Sequence, residues 1–177
     1  QGFRWMARLD HWGAGACLAD DMGLGKTVQT IAFLLYKASA GASLVVAPAS
    51  VLMNWSRELA RFAPSLNVVV LNEQNDRTEA LAGLGEYDVV LTTYGLLVRE
   101  KDALCGLEWN VVCLDEAHTI KNRGTKMSDA AMALKATSRV ILTGTPVQNY
   151  LGELWNLFQF LNPGLLGSYE SFQRKFI

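Results

Sequence analysis

Cysteine is scarce in this sequence, which has Cys17, Cys105 and Cys113 among its 177 residues. The number is odd and no pair has a CxxC spacing. Both facts argue against a disulfide framework or a zinc site and for reduced core thiols, two of them in apolar strand-like runs. An intracellular protein is expected. No apolar run reaches the roughly 18 residues that a membrane helix needs, no signal-like segment precedes the first amphipathic stretch, and no membrane partner is expected. An excess of one charge is missing too, since 16 Lys+Arg face 17 Asp+Glu for a formal net charge of −1. No global positive field announces nucleic acid, so any such binding must use a local patch. Internal repeats, low-complexity tracts and linker-like segments are absent. What is abundant is apolar: 50% of the residues are hydrophobic, enough for one domain with a sizeable core, which excludes disorder.

The apolar residues fall into two alternating periods. Phe3, Met6, Leu9 and Trp12 recur at helical spacing until Gly13, Ala14 and Gly15 end the pattern. A chain that starts inside a helix has the mark of a fragment. Strand-like runs follow at residues 16–19, 43–47, 67–71, 88–92, 110–114 and 139–142. Between them lie helical stretches. Val28, Ile31, Ala32 and Leu35 mark the first. A second shares Leu52, Trp55, Leu59 and Phe62 after an N-cap at Ser50, and weaker ones run over 78–84 and from Thr93 to about Leu104. The last two span 126–136 and the segment marked by Leu154, Leu157, Phe158 and Leu161. Six alternations of strand and helix predict an α/β fold, with a mostly parallel central sheet covered by helices on both faces.

Residues 19–30, ADDMGLGKTVQT, read as a phosphate-binding loop that opens a helix. Gly23 and Gly25 let the backbone turn tightly and aim N–H groups at phosphate oxygens, where the helix start adds partial positive charge. Lys26 supplies a point charge for the outer phosphates and Thr27 a hydroxyl ligand for magnesium. Asp20 stands where the common GxxxxGK[ST] pattern has its first glycine, a relaxation that helicase-type loops tolerate.

In open α/β sheets ligands bind beyond the carboxyl ends of strands. Asp115 and Glu116 follow the apolar run 110–114. Read alone they fit a solvated acidic turn as well as a site. Beside a phosphate loop they fit a magnesium-holding carboxylate, acting through water, and a residue that positions or deprotonates the attacking water. Thr143, Gly144, Thr145 and Pro146 form a turn that suits sensing of a terminal phosphate. Pro48, Ala49, Ser50 and Asn54, with Thr92, Thr93, Tyr94 and Gly95, offer small and hydroxyl groups for sequence-independent phosphate contacts. For Trp55 core packing is the favoured reading.

In order, DDMGLGKT, LVVAPASVLMNW, VVLTTYGLL, LDEAHTIKN and LTGTPVQNYLGELWNLFQFLNPGLLG resemble motifs I, Ia, Ib, II and III of a superfamily-two helicase, in wording similar to the Swi/Snf family. The resemblance covers nearly the whole chain. It implies a three-layer RecA-like fold over residues 1–177, the first lobe of an ATP-dependent translocase on double-stranded DNA that remodels protein–DNA complexes as a monomeric motor. It places ATP on Asp21, Met22, Gly23, Leu24, Gly25, Lys26, Thr27 and Val28. Lys26, Asp115 and Glu116 become the catalytic set, and Thr27 and Asp115 hold magnesium. His118, Thr143, Gly144 and Thr145 would couple hydrolysis to lobe movement, though His118 also reads as an ordinary packed or surface histidine. Pro48, Ala49, Ser50, Thr93 and Tyr94 would track the DNA backbone, and Lys121 and Arg123 would either join that patch or be solvated loop charges. The family's adenine-recognising glutamine lies just upstream of Gly2, and Gln1 does not occupy its place. A second lobe with an arginine finger is expected outside this segment, so the segment alone should hydrolyse ATP poorly. The expected compartment is bacterial cytoplasm, on DNA, or a nucleus. The rival readings are an RNA-directed helicase, suggested by the letters DEAH at residues 115–118, and a nucleotide-gated interaction module whose catalysis has decayed.

Overall fold

The computed structural model describes residues 1–20, 25–144 and 151–177. Six strands form one sheet: β1 (Ala16–Leu18), β2 (Ser43–Ala47), β3 (Asn67–Val70), β4 (Asp88–Thr93), β5 (Glu108–Leu114) and β6 (Lys135–Leu142). Their order is β1-β6-β5-β2-β4-β3, and every neighbouring pair is parallel. Parallel neighbours require crossovers, which the helices supply. All strands therefore finish on the same edge of the sheet.

Side chains alternate across the strands and divide the core into two halves. Leu44, Val46, Val112, Leu114 and Ile141 face one half, whereas Val45, Ala47, Val111, Cys113, Val140 and Leu142 face the other. Helices α1 (Gly2–His11), α2 (Lys26–Lys37) and α3 (Ala49–Phe62) cover the second face with Met6, Ile31, Phe33, Leu34, Leu52, Trp55 and Leu59. The first face is covered by α4 (Arg77–Ala82), α5 (Tyr94–Arg99), α6 (Lys101–Cys105), α7 (Lys126–Met132) and α8 (Leu151–Leu161), which contribute Leu81, Leu96, Leu104, Ala130 and Phe160. The short α9 (Tyr169–Phe176) inserts Phe172 beside α8. The chain thus has the three-layer α/β architecture expected from its sequence, with an entirely parallel sheet among the described residues. None of the described helices is long and apolar enough to cross a membrane.

Several local expectations need correction. The buried stripe of α2 is Thr30, Ile31, Phe33 and Leu34, while Ala32 and Leu35 are exposed. Thr30 can enter the core because its hydroxyl donates back to the Lys26 carbonyl at 2.8 Å, and this satisfied polar group shifts the buried face. Phe62 is exposed at the end of α3 and lies under the Arg61 guanidinium. Trp12 falls beyond α1 and is 74% exposed. Ser50 does not cap α3. Pro48 occupies that position, with no side-chain cap. The expected helix over 126–136 stops at Met132, and β6 starts at Lys135 rather than Arg139. The reason lies across the ladder, where β5 also starts early and pairs Glu108 with Lys135 and Trp109 with Ala136. The outer end of a ladder tolerates polar residues, so hydrophobic periodicity misses it.

Candidate functional site

Gly25 adopts a left-handed conformation, with φ 75° and ψ 32°, immediately before the first residue of α2. That backbone region favours glycine. Gly25, the N-cap, has no side chain to cap α2, and the helix start carries the partial positive charge that suits an anion. The Lys26 ammonium donates to the main-chain carbonyl of Asp20, which ties the two ends of the loop together. Asp21, Met22, Gly23 and Leu24, assigned to nucleotide in the sequence, lie outside the described residues, as do Thr145 and Pro146.

A cavity of about 290 Å³ joins three elements: Gly25, Lys26, Thr27 and Val28 from α2, Val51, Asn54, Trp55 and Glu58 from α3, and Asp115 and Glu116 after β5. Every described residue assigned to nucleotide or metal lines it. A larger opening of about 720 Å³ lies on the other flank of the loop, between Gln1, Gly2 and Trp5 of α1 and residues 17–20. Among the described residues that line it, Asp20 is the one carboxylate and none carries a hydroxyl. In the smaller cavity a lysine, a threonine and three carboxylates converge, the donor set that the sequence assigns to nucleotide and metal together with Glu58.

Asp115 is held at four points. Its N–H donates to the Val46 carbonyl at 2.8 Å, which extends the β5–β2 ladder by one residue. Its carbonyl accepts the Tyr94 hydroxyl at 2.6 Å. One carboxylate oxygen, Oδ1, accepts the Glu116 N–H at 2.8 Å, and the other, Oδ2, accepts the indole Nε1–H of Trp55 at 2.8 Å. An ionised carboxylate offers about four lone-pair sites, so this geometry fixes the group and leaves acceptor capacity for a ligand. Trp55 is fully buried and confirms its core reading, but its indole also orients Asp115. That second role went unseen in the sequence. The available signal was general: a buried indole N–H needs an acceptor.

Glu116 has φ 49° and ψ 52°, a left-handed conformation that costs a non-glycine residue about 1–2 kcal/mol. The Thr119 N–H and hydroxyl both donate to its carbonyl, at 3.0 and 2.9 Å, and hold the turn. Its carboxylate lies 3.2 Å from His118 Nδ1, a half-exposed pair of small energetic value. Burial pushes the Tyr94 phenol well above its ordinary range, and the negative charges of Asp115 and Glu116 act in the same direction. Tyr94 therefore stays a hydroxyl donor at neutral pH. Burial likewise raises the Cys113 thiol, two residues before Asp115.

Thr143 follows β6 and donates its N–H to Leu18 at the end of β1 at 3.2 Å, which places Thr143 and Gly144 beside the phosphate-loop strand. Pro48, Ala49 and Ser50 follow β2. Thr93 ends the adjacent β4, with Ala47 and Thr93 in register. Ala49 and Ser50 are exposed. Tyr94 is not: it is 4% exposed and turned onto Asp115, so its ring does not present a surface. The Thr93 hydroxyl accepts from the Leu96 N–H at 3.2 Å and from Asn72 at 3.1 Å. Lys121 is not a free loop charge, whereas Arg123 is exposed but engaged with two rings. Lys121 pairs at 3.1 Å with Glu153, which is 2% exposed, and Arg123 stacks on Tyr169 and Trp155 at 4.2 and 5.1 Å. Asn156 strengthens the same seam by donating to the Ile120 carbonyl and to Ser128.

Known proteins share this arrangement. A putative ATP-dependent helicase/translocase, YwqA, of Bacillus subtilis is 45% identical over 182 positions, which cover 99% of this chain and 20% of that protein. The ISWI chromatin-remodeling complex ATPase ISW2 of Saccharomyces cerevisiae is 40% identical over 184 positions, which cover 99% of this chain and 16% of that protein. This chain thus spans about a fifth or less of the length of these relatives. Among solved structures, a Sulfolobus solfataricus SWI2/SNF2 ATPase core in complex with dsDNA superposes with a TM-score of 0.88 at 47% identity, over 99% of this chain and 37% of that one. The SNF2-related domain matches from residue 1 to residue 177, so the strand-end motifs, the parallel sheet and the sequence agree, and the chain belongs to the SNF2-related family.

Proposed function

We propose that residues 1–177 form the first RecA-like lobe of an ATP-driven motor that translocates on double-stranded DNA and remodels protein–DNA complexes. The observation that carries this reading is the convergence of Gly25, Lys26, Thr27, Asp115 and Glu116 on one cavity. The adjacent strands β2 and β4 end in register at Ala47 and Thr93, and Pro48, Ala49 and Ser50 follow β2 at the same edge of the sheet. The printed ATPase descriptions of the relatives and the DNA complex of a solved relative support the same choice.

In this reading Lys26 and the first-turn N–H groups of α2 bind the outer phosphates of ATP. The oxygen donors of Thr27, Asp115 and Glu116 suit magnesium, a hard cation that prefers hydroxyl, carboxylate and water oxygens. Thr27 would hold the ion directly and Asp115 through water. When bound, magnesium neutralises charge on the transferred phosphate. Glu116 orients the attacking water and accepts its proton, helped by a backbone turn that carries its carboxylate into the cavity. His118, in contact with Glu116, joins Thr143, Gly144 and Thr145 in coupling hydrolysis to movement. Asp21, Met22, Gly23 and Leu24 complete the phosphate loop. Pro48, Ala49, Ser50 and Thr93 follow the DNA backbone without reading bases, and at Tyr94 the main chain, rather than the ring, serves that contact. The rest of a longer chain supplies the second lobe and its arginine finger, worth about 10³ or more in rate. The motor acts as a monomer on DNA, in bacterial cytoplasm or a nucleus.

The test is the ATPase rate of the full-length protein with duplex DNA, single-stranded DNA, RNA or no nucleic acid, beside Glu116→Gln as the blank. Stimulation specific to duplex DNA is expected. Stimulation by RNA alone, or a rate equal to the blank under every condition, overturns the proposal.

A further inference from the structure

Two of the residues that hold Asp115 have no phosphate or metal to bind. Trp55 sits two turns into α3, the helix opened by Pro48, Ala49 and Ser50. Tyr94 is the first residue of α5, next to Thr93. Both therefore grow from the segments assigned to the DNA backbone. Each turns inward and ends on Asp115, Trp55 at the carboxylate and Tyr94 at the carbonyl. The bonds span 60 and 21 residues of sequence and join the ends of β2, β4 and β5, which are adjacent in the sheet.

The two donors have no freedom to let go. An indole has a single N–H, and Trp55 is fully buried, so any turn of the Asp115 carboxylate away from it strands that donor in the core. Tyr94 is nearly as buried, and its hydroxyl donates to the Asp115 carbonyl at 2.6 Å. A carboxylate oriented in this way acts on a metal much as an outer-shell partner does in other metal sites.

The geometry points to Trp55 and Tyr94 as positioning residues that tie the orientation of Asp115 to the two DNA-facing segments, so that duplex DNA and magnesium-bound nucleotide strengthen each other's binding. This inference rests on the proposed function. Linkage requires the effect to be reciprocal: DNA raises the affinity for magnesium-bound nucleotide by the same factor by which that nucleotide raises the affinity for DNA.

The experiment uses full-length protein and a fluorescent ADP, read as binding without turnover. Magnesium is titrated with and without duplex DNA. Trp55→Phe keeps an aromatic ring and removes the donor. It is expected to raise the magnesium concentration for half-saturation about tenfold while ADP affinity in chelator is unchanged. A purely structural loss would weaken ADP equally with and without magnesium, and that result overturns the inference. Tyr94→Phe differs by one oxygen and carries the test if Trp55→Phe fails to fold. It is expected to cut the DNA-induced gain in magnesium–ADP affinity by about threefold or more. If the unaltered protein shows the gain and both variants retain all of it, the inference falls and the proposed function stands. If the unaltered protein binds magnesium–ADP equally well with and without DNA and its ATPase ignores DNA, both fall.

Discussion

At the edge where the strands begin, Asp10 accepts from the Lys37 ammonium at 2.8 Å and from the Ser138 hydroxyl, and Asn110 donates to the Lys37 carbonyl at 2.6 Å. Arg139 is spent in the same way on the carbonyls of Leu134 and Phe160. At the edge where the strands end, Asp115 is fixed but keeps acceptor capacity, Glu116 sits in a strained turn, Gly25 gives α2 no side-chain cap, and among the described residues Glu58 Oε2 is buried without a hydrogen-bond partner at the cavity. Both edges hold charge against the same sheet. The first spends its polar groups on one another and stabilises the fold; the second keeps acceptor capacity at its carboxylates, which suits a ligand that brings a cation. Substitutions at the two edges should therefore fail in different assays.

The largest effect is expected at the ending edge. Glu116→Gln should lower DNA-stimulated turnover by about 10³-fold or more while nucleotide affinity changes little, because in the proposed mechanism the carboxylate acts on water rather than on the phosphates. Lys26→Ala should weaken both, with nucleotide affinity down about tenfold or more, since it removes a charge from the bound state as well as the transition state. Steady-state rates and equilibrium nucleotide binding separate the two. Equal losses of affinity would erase the distinction drawn between them.

At the beginning edge the expected loss is in stability. Lys37→Met deprives Asp10 of its ion-pair partner in a pair whose side chains are only 16% and 17% exposed. Leaving a carboxylate half-satisfied there should cost about 2 kcal/mol in urea unfolding of the lobe, softened by the remaining Ser138 contact. The magnesium dependence of nucleotide binding should not move. A shift there would mean that the two edges communicate through the sheet.

A substitution that gains stability sharpens the comparison further. Glu116→Gly relieves the left-handed backbone and gives up only a half-exposed contact with His118. It should stabilise the lobe by about 0.5–1 kcal/mol, after the entropy cost of glycine, while turnover is lost. A loss of stability instead would show that Thr119 and the surrounding turn, rather than the cavity, set the conformation of Glu116.

How much of this was readable from sequence follows from the same division. Strands 43–47 and 110–114 are buried on both faces and announce themselves as unbroken apolar runs. Lys26, Thr27, Asp115 and Glu116 were placed together because parallel strands deliver their ends to one edge, a consequence of topology that survives errors in boundaries. What escaped depends on contacts between distant residues. The bond from Trp55 to Asp115 has no local signature, the early start of β6 depends on its neighbour β5, and the pairing of Lys121 with Glu153 needs α8 folded back across the DEAH segment. The inward turn of the Tyr94 ring escaped for a related reason. The TTYG turn suggests a surface, whereas only the sheet order shows that Asp115 lies within reach of its hydroxyl.

The smallest effect is one of pH. Burial raises the thiol of Cys113 and the phenol of Tyr94, so in the folded lobe both keep their protons where the unfolded chain has released them. Below about pH 8, the foot of the ordinary thiol range, both states are protonated and stability has no slope from either group. From about pH 8.5 upward the unfolded chain loses the thiol proton, and from about pH 10 the phenol proton, while the folded lobe retains them. The unfolded state then binds fewer protons, so stability falls as pH rises. Urea midpoints between pH 7 and 10.5 should therefore decline, and Cys113→Ala should flatten the first part of the decline while lowering the whole curve by the small cavity it leaves. The same substitution should leave the magnesium dependence of nucleotide binding alone, because Cys113 does not line the cavity. A parallel curve with an unchanged slope would trace the alkaline loss to Cys17 or Cys105, which burial also raises, and would free the Asp115 strand of any part in it.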